Sequence, residues 1–267
     1  MCVLLHLYQL KRFYQVLSVF KGRRFIERKM WDWYMVLLMY DDLMQFLQSN
    51  KNPVRGIKEK AYLKTEEESF GIPRGVIRDY IKQVIRGGGI LTITELKKLW
   101  STHIVDARFA AIVYAEARPD LWDEKWLRLF LAWAQTKDTG WHNTDILGPN
   151  LIGPAYISGL CRRKELLQLK SSDFLWTWRT AMTALIPSLK ISSKDWTLLC
   201  KFADDCVKPG SKFHKQYFAL KGLSMTIRWA IGANKDRVLS FLDENEMYLS
   251  KTFVTEVRNK ATIGRKR

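Results

Sequence analysis

Cysteine is scarce in this chain and follows no pattern. Cys2, Cys161, Cys200 and Cys206 form no Cys-x-x-Cys pair, and 267 residues need no disulfide frame. Reduced thiols in an intracellular protein are therefore expected. Histidine is equally sparse: His6, His103, His142 and His214 lie far apart, without a His-Glu-x-x-His motif or paired ligand spacing. No phosphate-cradling P-loop is present, and no Gly-x-Gly-x-x-Gly follows a strand; Gly87–Gly89 reads as an interhelical turn. Neither a metal nor an organic cofactor is expected. β-branched alternation long enough to build a sheet is missing. The apolar run at 34–40 is far too short to span a bilayer, and no other stretch comes closer.

What the chain has in excess is positive charge. Lysine and arginine total 44 against 27 acids, a net charge of +17, with an isoelectric point near 9.7. The commonest use of such an imbalance is to meet phosphate; a diffusely basic surface without a partner is the alternative. Hydrophobic residues make up 47% of the chain, enough for a folded core.

Residues 1–40 read as an added basic segment ahead of a domain over 41–267. No acid precedes Glu27, while Leu4, Leu7, Leu10, Tyr14 and Leu17 recur at helical intervals among Lys11, Arg12, Lys21, Arg23 and Arg24. Three readings stand: a transit peptide (although Ser18 is its only serine), an extra helix, or a leader ahead of a start at Met30.

From Met30 onward the apolar spacing predicts helices over 30–48, 53–64, 74–86, 92–101, 104–118, 122–136, 144–159, 162–170, 173–188, 193–207, 212–231, 234–243 and 248–261. Pro53 and Pro73 mark first turns, Thr92 or Thr94 precedes Glu95, and the serines at 171–172 and 192–193 offer N-caps. Helices this short with brief turns predict an all-α array of stacked helix pairs with a period of about 40 residues and a long concave, basic surface.

Within this array, Trp141 and Asp145 stand four apart at the mouth of a helix, which puts ring and carboxylate on one face. Taken alone, the pair reads as a helix cap with its staple. A basic helical array around it favours a cleft. Eleven tryptophans mostly mean packing, so Trp100, Trp122, Trp126, Trp133, Trp176 and Trp196 are assigned to the core.

Several stretches together carry a family likeness: GIKEKAYLKTEEESFGIPRGVIRDYIK (56–82), LKKLWSTHIVDARFAAIVYAE (96–116), WHNTD (141–145), DFLWTWRTAMTAL (173–185), YFALKGLSMTIRWA (217–230) and TEVRNKATIGRKR (255–267). In order and spacing they resemble the AlkD-like DNA alkylation repair family over roughly residues 41–267. The resemblance implies an all-α, HEAT-like helical-repeat solenoid and a monofunctional DNA glycosylase that hydrolyses the N-glycosidic bond of cationic N3- and N7-alkylpurines in duplex DNA. It needs no cofactor and leaves an abasic site. Asp145 would be the essential carboxylate, Trp141 the aromatic wall and Arg179 the phosphate clamp. The family's third element, a tryptophan, falls on Met225, a departure from the pattern. Trp229, one turn further on, is a candidate substitute ring.

Candidate phosphate contacts are Lys58, Lys60, Lys64, Arg74, Lys215, Lys221, Arg228, Arg258, Lys260 and Arg265. The expected partner is double-stranded DNA carrying alkylated bases, met by a monomer in cytoplasm, nucleoid or nucleus, or in an organelle if residues 1–29 are a transit peptide. Two other classes remain open: a catalytically impaired DNA-binding solenoid, and a protein-interaction scaffold.

Overall fold

A computed structural model describes residues 39–263, and the described chain is all-α. Most of the added segment at 1–40 and the candidate phosphate contact Arg265 lie outside it. The helices are α1 over 39–49, then α2 Pro53–Leu63, α3 Arg74–Arg86, α4 Ile93–Trp100, α5 Val105–Ala117, α6 Glu124–Ala134 and α7 Trp141–Leu147. They continue as α8 Gly153–Ile157, α9 Arg163–Lys170, α10 Leu175–Thr183, α11 Ile186–Ile191, α12 Trp196–Val207, α13 Tyr217–Asn245 and α14 Lys251–Ile263. No described helix is long and apolar enough to cross a membrane.

Local chemistry sets many of the boundaries. Asn52 caps α2 just ahead of Pro53, and Thr92 with Glu95 closes a capping box at α4. Asp123 takes the free N–H groups of Lys125 and Trp126 at α6. The helix expected over 144–159 begins three residues earlier, after an extended Gly140. Its course passes through a wide turn, Gly148–Ile152, before becoming α8. Pro149 and Pro154 lack the N–H that an unbroken α-helix would use there, and the wider turn accommodates that loss.

Three expected spans are corrected. The stretch 173–188 divides into α10 and α11. The helix expected from 212 starts at Tyr217, because the preceding segment turns back onto α12, with the Phe213 N–H on the Asp205 carbonyl. The two helices expected over 212–231 and 234–243 run together as α13, interrupted only by the non-helical backbone of Asn234. Its side-chain amide reaches the carbonyls of Leu189 and Ser192, so the bend is tied to the neighbouring α11.

The helices form two ranks. In the inner rank α5 packs on α7, α7 and its wide turn on α10, α8 on α11, and α10 and α11 on α13. In the outer rank, α4 lies on α5, α9 on α10 and α12 on α13, while α6 covers the wide turn. Inner members begin at Val105, Trp141, Leu175 and Tyr217, close to the expected interval. This is an all-α helical repeat. An inner helix is covered from both sides: α5 is buried from Val105 through Ala115 and has no solvent face. In the outer rank, Trp100 of α4 stacks on Trp133 of α6 with centroids 4.7 Å apart.

Candidate active site

The chain that leaves α7, through the wide turn into α8, lies directly against α10. A Cβ on Gly148 would lie 2.7 Å from the Thr180 carbonyl oxygen and collide with Thr183 Oγ1. One on Gly153 would lie 2.6 Å from the Ala184 carbonyl oxygen. Glycine at both positions lets the two backbones touch, and this contact sets the distance between their side chains.

At that separation Asp145 meets Arg179. The guanidinium donates from Nε to Oδ1 at 2.8 Å and from Nη2 to Oδ2 at 2.7 Å. A fork of two parallel bonds fixes the plane of the carboxylate as well as its place. Nη1 donates to the carbonyl of Phe218 in the first turn of α13. Here too a glycine makes room, since a Cβ on Gly222 would stand 3.0 Å from Nη1. The Arg179 side chain is 4% exposed and that of Asp145 19%, so the arginine is enclosed while the carboxylate retains a wet edge.

Beside this pair lies a cleft of about 350 Å³. Its aromatic lining is Trp141 from α7, Trp176 from α10 and Phe218 from α13. Trp176 and Phe218 meet edge to face at 5.1 Å, and the exposed ring of Tyr62 meets Trp141 in the same way at 5.5 Å. Helical spacing explains the grouping. Trp176 and Arg179 are three apart and share a face of α10, whereas Trp178, two positions on, points into the core. There its indole donates to Asp205 at 2.8 Å. On α13, Phe218, Gly222 and Met225 follow one another at four and three residues along a single stripe.

The cleft floor rests on a buried polar network. Arg108 on α5, 1% exposed, donates to Glu67 at 2.6 Å, to the Trp100 carbonyl at 2.8 Å and to both oxygens of Asp138. Asp138 also pairs with His103. The second oxygen of Glu67 faces His142 Nε2 at 2.8 Å; a carboxylate there requires the proton on that nitrogen. Asp106, two residues earlier on α5, accepts the N–H groups of Phe70 and Ile72. Together these bonds pin the 65–72 loop under the cleft.

Burial pushes the Glu67 carboxyl upward, but the His142 bond and the Arg108 charge outweigh it and hold it below the usual glutamate range. Asp138 follows the same pattern, burial being overcome by the Arg108 bond and charge and by His103. Asp106 goes the other way: burial exceeds the effect of its two N–H bonds and raises it. A depressed carboxyl contributes stability above its unfolded value and loses it as pH falls through the folded one. Glu67→Gln is therefore expected to be less stable than wild type at neutral pH. The gap should narrow on acidification below the usual glutamate range. Thermal melts of both proteins across pH check this, and a gap that widens in acid would contradict it.

The sequence-derived sites can now be placed. Asp145 is not the cap of its helix; Gly140 holds that position and Asp145 lies in the second turn. Trp141 is the first residue of α7 and lines the cleft. The fork expected to hold a phosphate is engaged by Asp145 and Phe218, through three of its N–H groups. Met225 is half-buried and lies outside the cleft lining. Trp229 lies outside it as well, with Lys190 Nζ 3.9 Å above its ring. Trp176, assigned to the core, is on the cleft wall instead.

Among the candidate phosphate contacts, Arg74 is a packing residue, its guanidinium over the Phe109 ring at 4.3 Å and bonded to Glu59. Lys60, Lys221 and Arg258 are paired with Glu66, Glu256 and Asp243. Lys58, Lys64, Lys215, Arg228 and Lys260 form no ion pair among the described residues. Sequence reasoning missed Glu67, His103, Arg108, Asp138 and Phe218. Only Phe218 left a signal, its four-residue spacing from Gly222.

A family model described as "DNA alkylation repair enzyme" matches residues 43–260. No match was found among curated proteins.

Proposed function

Because the chain belongs to the DNA alkylation repair enzyme family, and is thereby an enzyme of alkylated-DNA repair, we propose that it is a monofunctional glycosylase for cationic alkylpurines. Its substrate would be an N3- or N7-alkylated purine in duplex DNA, held by a HEAT-like solenoid that acts as an intracellular monomer and requires no cofactor. The observation that carries this reading is the Asp145–Arg179 fork set beside an aromatic cleft.

Alkylation gives the purine a positive charge, so the base already leaves well. What the enzyme adds is stabilisation of the oxocarbenium-like sugar and delivery of water. As the bond from C1′ to the base nitrogen breaks, its electron pair departs with the base, which leaves neutral. Water forms the new bond at C1′, and its proton passes to the Asp145 carboxylate. The fork occupies one lone pair on each oxygen, and Thr144 Oγ1 stands 3.5 Å from Oδ1, which leaves Oδ2 as the freer acceptor. Arg179 is then a positioning residue that holds the carboxylate. Backbone phosphates fall to unpaired lysines such as Lys58 and Lys64.

Incubation with methylated duplex, followed by alkaline cleavage at abasic sites, tests the proposal. Release of 7-methylguanine or 3-methyladenine is expected. A second reading, DNA binding without hydrolysis, is favoured by Met225 in place of the family's third aromatic. It predicts no release but binding that weakens steeply with salt. A protein scaffold predicts neither.

A further inference from the structure

A second cavity, of about 460 Å³, lies between α13 and α14, a size within the range of small-molecule sites. Tyr217, Leu220, Lys221 and Ser224 line it from α13, Phe253 and Glu256 from α14, and Lys215 from the segment leading into α13. Helical spacing separates it from the first cleft. Residues 217, 220, 221 and 224 share one face of α13, whereas Phe218 and Gly222 meet Arg179. Within the cavity Glu256 accepts from Lys221 at 2.9 Å and from the buried Ser224 at 3.2 Å. The Lys221 bond outweighs burial and holds the Glu256 carboxyl below the usual glutamate range. Each of its oxygens keeps a further lone pair. Lys221 is thus neutralised, but Lys215 forms no ion pair among the described residues. Its backbone is left-handed, with φ at +57°, which is uncommon for a residue carrying a side chain. Its N–H bonds the Cys206 carbonyl, so the turn that folds back onto α12 delivers this cation to the cavity. The Tyr217 ring beside it is 64% exposed.

We propose that this cavity is a nucleotide site, in which Lys215 holds the phosphate, the Tyr217 ring stacks on the base and Glu256 accepts from the base's amino edge. The site goes beyond the glycosylase reading and does not rest on it. An inorganic anion would leave the Tyr217 and Phe253 rings unused. A wholly apolar ligand would strip water from the Lys221–Glu256 pair and give nothing in return. A metal ion would find one carboxylate, already held by a lysine. A nucleotide brings a phosphate, a flat π-face and donor groups in one molecule, and every base has a face to stack. A free mononucleotide and an unpaired nucleotide of a DNA strand offer this same chemistry.

The test uses the full chain and two variants at exposed positions, Lys215→Gln and Tyr217→Ala. Calorimetric titration compares dAMP with deoxyadenosine and with inorganic phosphate. In parallel, a duplex with a short adenine overhang is compared with a blunt duplex of equal phosphate number. If the ligand is a free nucleotide, dAMP is expected to bind about tenfold or more tightly than either of its halves. If it belongs to a strand, the overhang duplex should bind about 5- to 150-fold more tightly than the blunt one, the range for stacking one base on a ring. Whichever preference appears, each variant should remove most of it at an unchanged melting temperature. Survival of the preference in either variant overturns the site, because a nucleotide needs both its phosphate and its base held. No preference for dAMP over its halves, including phosphate that binds as tightly as dAMP, and none for the overhang, also overturns it. Base release from methylated duplex is scored separately and bears on the glycosylase reading alone.

Discussion

Asp145→Asn is expected to reduce base release from methylated duplex by about 10²–10⁴-fold, the range associated with loss of a general base. The substitution keeps the size of the side chain and one acceptor for the Arg179 fork. It removes the charge that would stabilise an oxocarbenium-like sugar and the site that would accept the water proton. Arg179, 4% exposed, then keeps its charge without a counter-charge, at a cost of about 1–3 kcal/mol. A modest fall in melting temperature should therefore accompany the loss of activity, while duplex affinity in a salt series stays within a few-fold of wild type. Single-turnover release within tenfold of wild type would remove Asp145 from the mechanism. Loss of duplex binding would recast it as a structural residue.

The largest effect on stability is expected at Arg108. Arg108→Leu leaves Glu67 buried with its hydrogen bond to His142 but without its cation, and frees Asp138 on one side. Breaking a buried pair by removing one partner costs about 3–5 kcal/mol, against a total of about 5–15 kcal/mol for a typical domain. The variant should unfold at markedly lower urea concentration. Pairing it with Glu67→Leu removes the stranded carboxylate and should recover part of the loss. A single variant within about 1 kcal/mol of wild type, below the cost of an unpaired buried charge, would mean that the network contributes little. Recovery in the double variant would locate the cost in desolvation rather than in shape.

The features visible in the sequence are the local ones. Thr92 and Glu95 announce a helix start because capping is settled within four residues. The inner and outer ranks follow from apolar spacing, which each helix carries in itself. Trp141 and Arg179 can be singled out because they lie in recognisable stretches. Side-chain roles that depend on a distant partner are hidden. Glu67 sits in a run of three glutamates that reads as a solvated face, yet its partner Arg108 is 41 positions away. Trp176 and Trp178 are indistinguishable by type, and only the rotation of α10, fixed by Arg179 reaching Asp145, decides which ring meets the cleft. Asn234 illustrates the same limit. A break near 232–233 is legible, but a chain that bends and continues depends on the carbonyls of Leu189 and Ser192.

The three anchors of Arg179 belong to three successive repeats: its own α10, Asp145 on α7 and the Phe218 carbonyl on α13. A stack of helical pairs is a spring, and these bonds span adjacent coils of it. Any change in its curvature must lengthen or shorten them. The arginine thus acts as a strain gauge, through which the curvature of the repeat and the pose of the carboxylate are mechanically one variable.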